Sequence, residues 1–240
     1  MTDQNSTDPD ARLAFEPLVR HFGDGVTVAL GDCMTMALPK ADAVISDPPY
    51  GMDWNTDSTR YSGGKAWHNS RRGQGRDDWG RIANDKAPFD PAHWLNFPRV
   101  VLWGQNHFAQ RLPVGTTLVW QKKEPHLWGT FLSDAEVAWM KGGHGVYLYR
   151  ENFPPPSRQA EAGGQCAHPN QKPVRLMAWC MDRAKVPEGG MVLDPYMGSG
   201  TTGLACIRTG RKFFGVEVDP RYFDTACERL ERELAQGRLF

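Results

Sequence analysis

A chain of 240 residues, 40% of them hydrophobic, can bury a substantial core, and its length suits one large domain or two small ones. Lys and Arg number 28 and so do Asp and Glu, so the formal net charge is zero and any affinity for a polyanion has to come from a local patch. The five cysteines, Cys33, Cys166, Cys180, Cys206 and Cys227, are odd in number, scattered and without CxxC spacing, which argues against a disulfide framework and a zinc site.

With no signal peptide, no apolar run long enough to cross a bilayer and no internal repeat, the expectation is a soluble, cytoplasmic protein. Residues 1–16 are polar and read as a solvated tail. Val26 to Leu30 alternate as a short strand, and Gly31-Asp32-Cys33 then turns into a brief helix through Thr35 to Leu38. Asp32 therefore stands at a strand-to-helix junction, as a helix N-cap or as an acceptor for a ligand's amine or ring N–H.

The apolar run Ala43-Val44-Ile45 reads as a buried strand ending at Ser46-Asp47-Pro48-Pro49-Tyr50. Two prolines forbid its continuation as helix or central strand, and they hold Asp47 and Pro48 extended. A carboxylate and a bare carbonyl beside the aromatic plate of Tyr50 suit a flat molecule with an exocyclic amine, such as a nucleobase. A plain Asp-Pro-Pro turn is the alternative.

From about 55 to 86 no period survives. The stretch is rich in Gly and basic residues, with Arg60, Lys65, Arg71, Arg72 and Arg76 interleaved with Tyr61, Trp67 and Trp79, as expected of an arm that tracks phosphates or of a solvated loop. Phe89 to Phe97 reads as a helix with Pro91 in its first turn. Three strand-like runs follow, each ending on tryptophan, at Trp103, Trp120 and Trp139, where an indole either packs or walls a pocket. Gly104-Gln105-Asn106 adds amides after the first of these runs. Lys141 to Gly164 reads as a β-ribbon or loop, and His168-Pro169-Asn170-Gln171-Lys172-Pro173 leads into a helix with one apolar face, where Lys172 and the helix N-terminus would attract a carboxylate.

Met191 to Thr202 reads strand, glycine turn, helix start; the helix ends at Gly210 and a strand spans Phe213 to Val218. This βαβ unit has the layout of a nucleotide site, with Glu217 placed for a ribose diol, but it lacks the full dinucleotide fingerprint and the Gly-Lys-Thr of a P-loop. A ligand like adenosine without a pyrophosphate fits it best.

Asp47-Pro48-Pro49-Tyr50, Asp194-Pro195-Tyr196-Met197-Gly198-Ser199-Gly200, Glu217 and His168-Pro169-Asn170-Gln171-Lys172-Pro173 together resemble the AdoMet-dependent amino-methyltransferases of DNA, in the permuted β-class order with the tetrad ahead of the cofactor loop. The resemblance implies a Rossmann-like α/β methyltransferase fold, a mostly parallel twisted sheet with helices on both faces. It implies one domain over 17–240, with the basic insertion at about 55–86 and a short target-recognition segment at about 141–167. It implies S-adenosyl-L-methionine as cofactor, double-stranded DNA as substrate, and a homodimer or a cognate restriction endonuclease as possible partners. Asp47, Pro48, Pro49 and Tyr50 would be catalytic. Asp194, Gly198 and Gly200 would shape the methionine and ribose pocket, in one stretch with Pro195, Tyr196, Ser199, Thr201 and Thr202; Glu217 would hold the ribose, Asp32 the adenine edge, and Lys172 would face the methionine carboxylate. The Asp form of the tetrad points to adenine N6, with cytosine N4 as the rival; a non-catalytic DNA-binding module and a Rossmann oxidoreductase are more distant readings.

Overall fold

The computed structural model describes residues 17–53, 85–130, 133–163 and 171–237. In chain order its strands are β1 (Leu18–Phe22), β2 (Val26–Leu30), β3 (Ala43–Ser46), β4 (Val100–Trp103), β5 (Gly115–Gln121), β6 (Ala135–Arg150), β7 (Met191–Asp194) and β8 (Lys212–Glu217). The helices are α1 (Gln105–Phe108), α2 (Pro155–Ala162), α3 (Val174–Arg183), α4 (Thr201–Arg208) and α5 (Pro220–Ala235). The strands join in one sheet ordered β1-β2-β8-β7-β3-β4-β6-β5.

Its five central strands, β2, β8, β7, β3 and β4, are parallel, so their carboxyl ends share one edge. The chain proceeds outward from β7 to β8 in one direction and from β3 to β4 in the other. Connections therefore diverge between β7 and β3, and a crevice opens there, as at the switch point of other open α/β sheets. β1 closes one side antiparallel to β2. On the other side β6 pairs with β5 twice: Ala135–Lys141 runs antiparallel, with Thr117 opposite Trp139, and the chain then rounds the start of β5 so that Val146–Arg150 runs parallel, with Thr117 opposite Val146.

All residues of β3 and β4 are buried, as a strand covered on both faces requires. One face packs Ile45, Val101, Val192 and Phe213 against α3, α4 and α5 through Leu176, Met181, Leu204, Phe223 and Leu230. The other packs Val44, Val100, Leu102 and Leu193 against Phe89, Trp94 and Phe108, so α1 and irregular turns cover it.

Those turns replace the helix expected over Phe89–Phe97. Trp94 N–H donates to the Pro91 carbonyl (2.9 Å) and Phe97 N–H to that of Trp94 (3.2 Å), while Asp90 Oδ1 takes the Ala92 N–H (3.1 Å). The few residues between Pro91 and Pro98 cannot repay helix nucleation, and the Asp90 side chain offers the backbone another partner. In place of the brief helix expected through Thr35–Leu38 there is a turn over Cys33–Thr35: Asp32 Oδ1 accepts the Met34 N–H (2.9 Å), and Pro39 stands just downstream. Within Lys141–Gly164 the ribbon is present as the second half of β6, but α2 follows it, started by prolines whose fixed φ suits a first helical turn. The expected basic insertion falls largely on residues 54–84, outside the described residues, as do residues 1–16. No helix among the described residues is long and apolar enough to cross a membrane.

Phe213 is fully buried where α4 and α5 meet β8, its ring close to Gly203 and Gly215. Phe213→Ala is expected to cost about 3–5 kcal/mol, read as a lower urea midpoint at unchanged slope.

Candidate active site

The carboxyl ends of the five parallel strands deliver Asp32 after β2, Glu217 at the end of β8, Asp194 at the end of β7, Asp47 after β3 and Gly104 after β4. Between the two divergent strands, Ser46 Oγ donates to Asp194 Oδ1 at 2.5 Å. Thr202 Oγ1 donates to Asp194 Oδ2 at 2.5 Å, and the Tyr196 N–H to Oδ1 at 3.2 Å. Burial pushes the Asp194 carboxyl up to about 6 against these donors. Asp194 thus clamps the turn after its own strand to the strand that carries Asp47.

The turn runs Pro195 to Gly200. Met197 N–H donates to the Val216 carbonyl (2.9 Å) and Gly198 N–H to Glu217 Oε2 (2.9 Å), which pins the loop across β8. Gly200 caps α4 with φ of 80°, and a Cβ there would sit 3.0 Å from that of Ala226, so both conformation and space favour glycine. Glu217 Oε1 accepts the Val218 and Asp219 N–H groups (2.9 and 2.8 Å). Among the described residues, three backbone amides thus satisfy part of a carboxylate with about four acceptor positions, which leaves room for one more donor. Burial pushes Glu217 up to about 7. The Gly31 N–H bonds to the Glu217 carbonyl (2.9 Å), which sets Asp32 beside it. An acid with spare acceptor capacity, a close-approach glycine loop and a second acid alongside fit an adenosine-type ligand.

The side chains of Ser199, Thr201 and Thr202 turn inward. Arg229 of α5, only 3% exposed, donates to the Ser199 carbonyl (2.6 Å) and Oγ (2.8 Å) and reaches Thr201 Oγ1 (3.4 Å). Glu161 of α2 lies 3.9 Å from the guanidinium, takes the Val174 N–H that opens α3 (3.0 Å) and accepts from Gln171 (2.8 Å). Arg229 is therefore the cation that fixes the loop from behind, although burial lowers it to about 10.

On the other side of the crevice the Asp47–Tyr50 corner is pinned by Asp85, whose Oδ1 accepts the Gly51 N–H (2.7 Å) and the Met52 N–H (3.2 Å). Tyr50 stacks on His107 of α1 with ring centroids 4.6 Å apart and planes 9° off parallel. Gly104, with φ of 80°, lies against the Tyr50 ring so closely that a Cβ would overlap it. Tyr50 OH donates to Asp47 Oδ1. Lys172 Nζ donates to Asp47 Oδ2 and pairs with Glu136 Oε2 (3.0 Å), and Lys122 Nζ pairs with Glu136 Oε1 (2.6 Å). Burial alone would raise Glu136, but the two ammonium groups outweigh it and hold the acid down at about 2. Burial opposes the Lys172 charge, and Asp47 and Glu136 outweigh that and push its pKa up.

The structure thus brings Asp47, Pro48, Pro49, Tyr50, Asp32, Asp194, Pro195, Tyr196, Gly198, Gly200 and Glu217 to one edge of the sheet. Lys172 differs from the sequence reading: its ammonium is bound by Asp47 and Glu136, on the tetrad's side of the crevice, because the side chain of a residue preceding α3 points across to β3 and β6. Tyr196 packs edge-on against Phe89 and Trp94. Arg60, Lys65, Arg71, Arg72, Arg76 and His168 lie outside the described residues. Of the three strand-ending tryptophans, Trp120 and Trp139 donate to the Glu151 and Pro113 carbonyls and pack, and Trp103 alone nears the site, its ring 5.8 Å from Lys172 Nζ. The Gln105 amide is turned to Thr117 Oγ1 (3.3 Å).

Glu136, Lys122, Asp85, His107 and Arg229 escaped the sequence reading. Glu136 left a trace, as a single charge inside the apolar run Ala135–Trp139; the others carry no local signal.

Residues 116–228 match the family model described as DNA methylase. It is 44% identical over 66 residues to the type II methyltransferase M2.DpnII of Streptococcus pneumoniae, a match covering 28% of this chain and 24% of that protein. It is 34% identical over 118 residues to the DNA adenine methyltransferase YhdJ of Escherichia coli K12, covering 42% of this chain and 40% of that one. The chain therefore spans less than half the length of these curated relatives. In fold it resembles the cytosine-N4-specific PvuII DNA methyltransferase, with a TM-score of 0.52 at 14% identity over 88% of this chain and 90% of the other.

Because Glu217 is raised from 4.5 to about 7 in the folded chain, its contribution to stability is present below about pH 4.5 and lost as pH rises through about 7. Urea unfolding at pH 5 and pH 8 is expected to show a smaller drop for Glu217→Gln than for the parent chain. Equal drops would remove the burial argument.

Proposed function

We propose that this chain transfers a methyl group from S-adenosyl-L-methionine to the exocyclic N6 amine of an adenine flipped out of double-stranded DNA. The observation that carries the reading is the Ser46–Asp194 bond, which sets the Asp-Pro-Pro-Tyr corner and the Gly198–Gly200 loop on adjoining strand tips of one crevice. Glu217 would take the ribose hydroxyls, Asp32 the adenine edge of the cofactor, and the loop glycines would let the backbone approach its methionine moiety. S-adenosyl-L-methionine supplies an activated methyl on a sulfonium.

An exocyclic amine is a poor nucleophile because its lone pair is delocalised into the ring. Hydrogen bonds from its two N–H groups to Asp47 Oδ1 and the Pro48 carbonyl would favour a pyramidal nitrogen and expose the pair. Tyr50 OH occupies Oδ1 in the free chain, so the amine exchanges one neutral donor for another. Flipping the base costs roughly a few kcal/mol, and stacking on Tyr50 returns about 1–3 kcal/mol. Holding both reactants in line can supply about 7–11 kcal/mol of barrier lowering.

The aspartate of the corner and the named activity of YhdJ support adenine over cytosine. Arg60, Lys65, Arg71, Arg72 and Arg76 are proposed as contacts to DNA phosphates, within a single domain over 17–240.

Incubation with duplex DNA and methyl-labelled S-adenosyl-L-methionine, followed by nucleoside mass spectrometry, should yield N6-methyladenine. N4-methylcytosine would move the assignment to the other base, and cofactor binding without label transfer would point to a non-catalytic DNA-binding module. Asp47→Ala should lower transfer at least about 100-fold while cofactor affinity stays within about twofold of the parent.

A further inference from the structure

We propose that Lys172 is the positioning residue for the catalytic carboxylate, with Glu136 as its second anchor; this rests on the methyl-transfer reading and deepens it. Asp47 leaves the end of β3, Glu136 stands in β6, Lys122 follows β5 and Lys172 precedes α3. Their side chains form a string of alternating charge, Asp47, Lys172, Glu136 and Lys122, in that order. Lys172 is 6% exposed, and its two carboxylate partners, with the Trp103 ring beneath, offset the cost of removing an ammonium from water.

The arrangement divides the labour of the Asp47 oxygens. Among the described residues, Oδ2 is held by a buried, doubly anchored ammonium, whereas Oδ1 takes the hydroxyl of Tyr50, a neutral donor on a ring that an incoming base has to meet. A carboxylate turns freely about its last torsion unless one oxygen is fixed. Lys172 fixes it, and Oδ1 is left as the exchangeable acceptor for the amine. Lys172 cannot accept the amine's hydrogen itself, since an ammonium has three donors and no acceptor. It therefore acts through Asp47. Glu136, fastened from behind by Lys122, keeps Lys172 from following whatever enters the crevice.

The test is steady-state methyl transfer by the full chain on duplex DNA, with cofactor affinity measured separately by calorimetry. Lys172→Met, close in shape and uncharged, should lower kcat by about 100-fold, the loss that a misplacement of about 1 Å brings, with KM for DNA and Kd for S-adenosyl-L-methionine within about twofold of the parent. Glu136→Gln, which removes the charge of Lys172's second anchor, should lower kcat about tenfold with the same constants unmoved. Lys172→Arg should recover at least about tenfold of the lost kcat, because a guanidinium can hold Oδ2. A merely structural lysine would lower the urea midpoint and leave kcat of the folded fraction alone. An unchanged kcat in Lys172→Met overturns the proposal, and so does a weakened cofactor affinity at unchanged kcat, which would return Lys172 to the methionine carboxylate. These outcomes require an active parent chain; a parent that binds cofactor and transfers no methyl overturns the function itself.

Discussion

The hydrogen bond from Ser46 to Asp194 is the constraint on which the site depends. β3 and β7 lie side by side in register, Val44 opposite Leu193, and their following segments leave in opposite directions. The bond closes the base of the crevice that this divergence opens. A hydrogen bond to a charged group contributes about 1.5–3 kcal/mol, and more is at stake when the group left behind is buried. Asp194 also takes the Thr202 hydroxyl and the Tyr196 N–H, so one carboxylate aligns the end of β3, the turn after β7 and the start of α4. Arg229 braces that turn from α5 and joins it through Glu161 to the start of α3, which is also where the segment bearing Lys172 meets the core.

The two walls of the crevice hold their buried and half-buried acids in opposite ways. On the glycine-loop wall, Asp194 and Glu217 are satisfied by hydroxyls and backbone amides, and burial leaves them raised to about 6 and about 7. On the tetrad wall, Asp47 and Glu136 share Lys172, and Glu136 also has Lys122; there Coulomb attraction outweighs burial and Glu136 falls to about 2. A wall of amides and hydroxyls suits a ligand rich in hydroxyl donors. A wall of fixed charges suits a reaction in which positive charge grows on a nitrogen and must meet an acceptor already in place. The chemical asymmetry of the crevice thus matches the proposed division between a cofactor half and an acceptor half.

Much of this was legible in the chain. Pro48-Pro49 ends a strand wherever it occurs, and Gly198-Ser199-Gly200 between a strand and a helix can only be a close turn, so both walls declared themselves locally. The bounds of β2, β3 and α4 follow from period and breakers. Features that depend on partners far away in sequence did not declare themselves. The apolar spacing before Lys172 marks α3, but nothing in it says that the lysine reaches Asp47, 125 residues earlier in the chain. Arg229 looks like one more charge on an amphipathic helix, and only the packing of α5 against the glycine loop buries it. Phe89–Phe97 has the composition of a helix, yet two prolines and the pull of Trp94 into the core leave it as turns. α5 itself was readable from Asp219-Pro220 and the spacing of Phe223, Ala226, Cys227 and Leu230, a capped start and an apolar stripe that the sequence reading passed over.

The most direct test of the shared crevice is a crystal structure of the chain with S-adenosyl-L-homocysteine bound. The account predicts ribose hydroxyls on Glu217 and the sulfur lying between the Gly198 loop and Asp47, facing the Pro48 carbonyl. A sulfur pointing away from Asp47, or a ligand seated at the opposite ends of the strands, would contradict it.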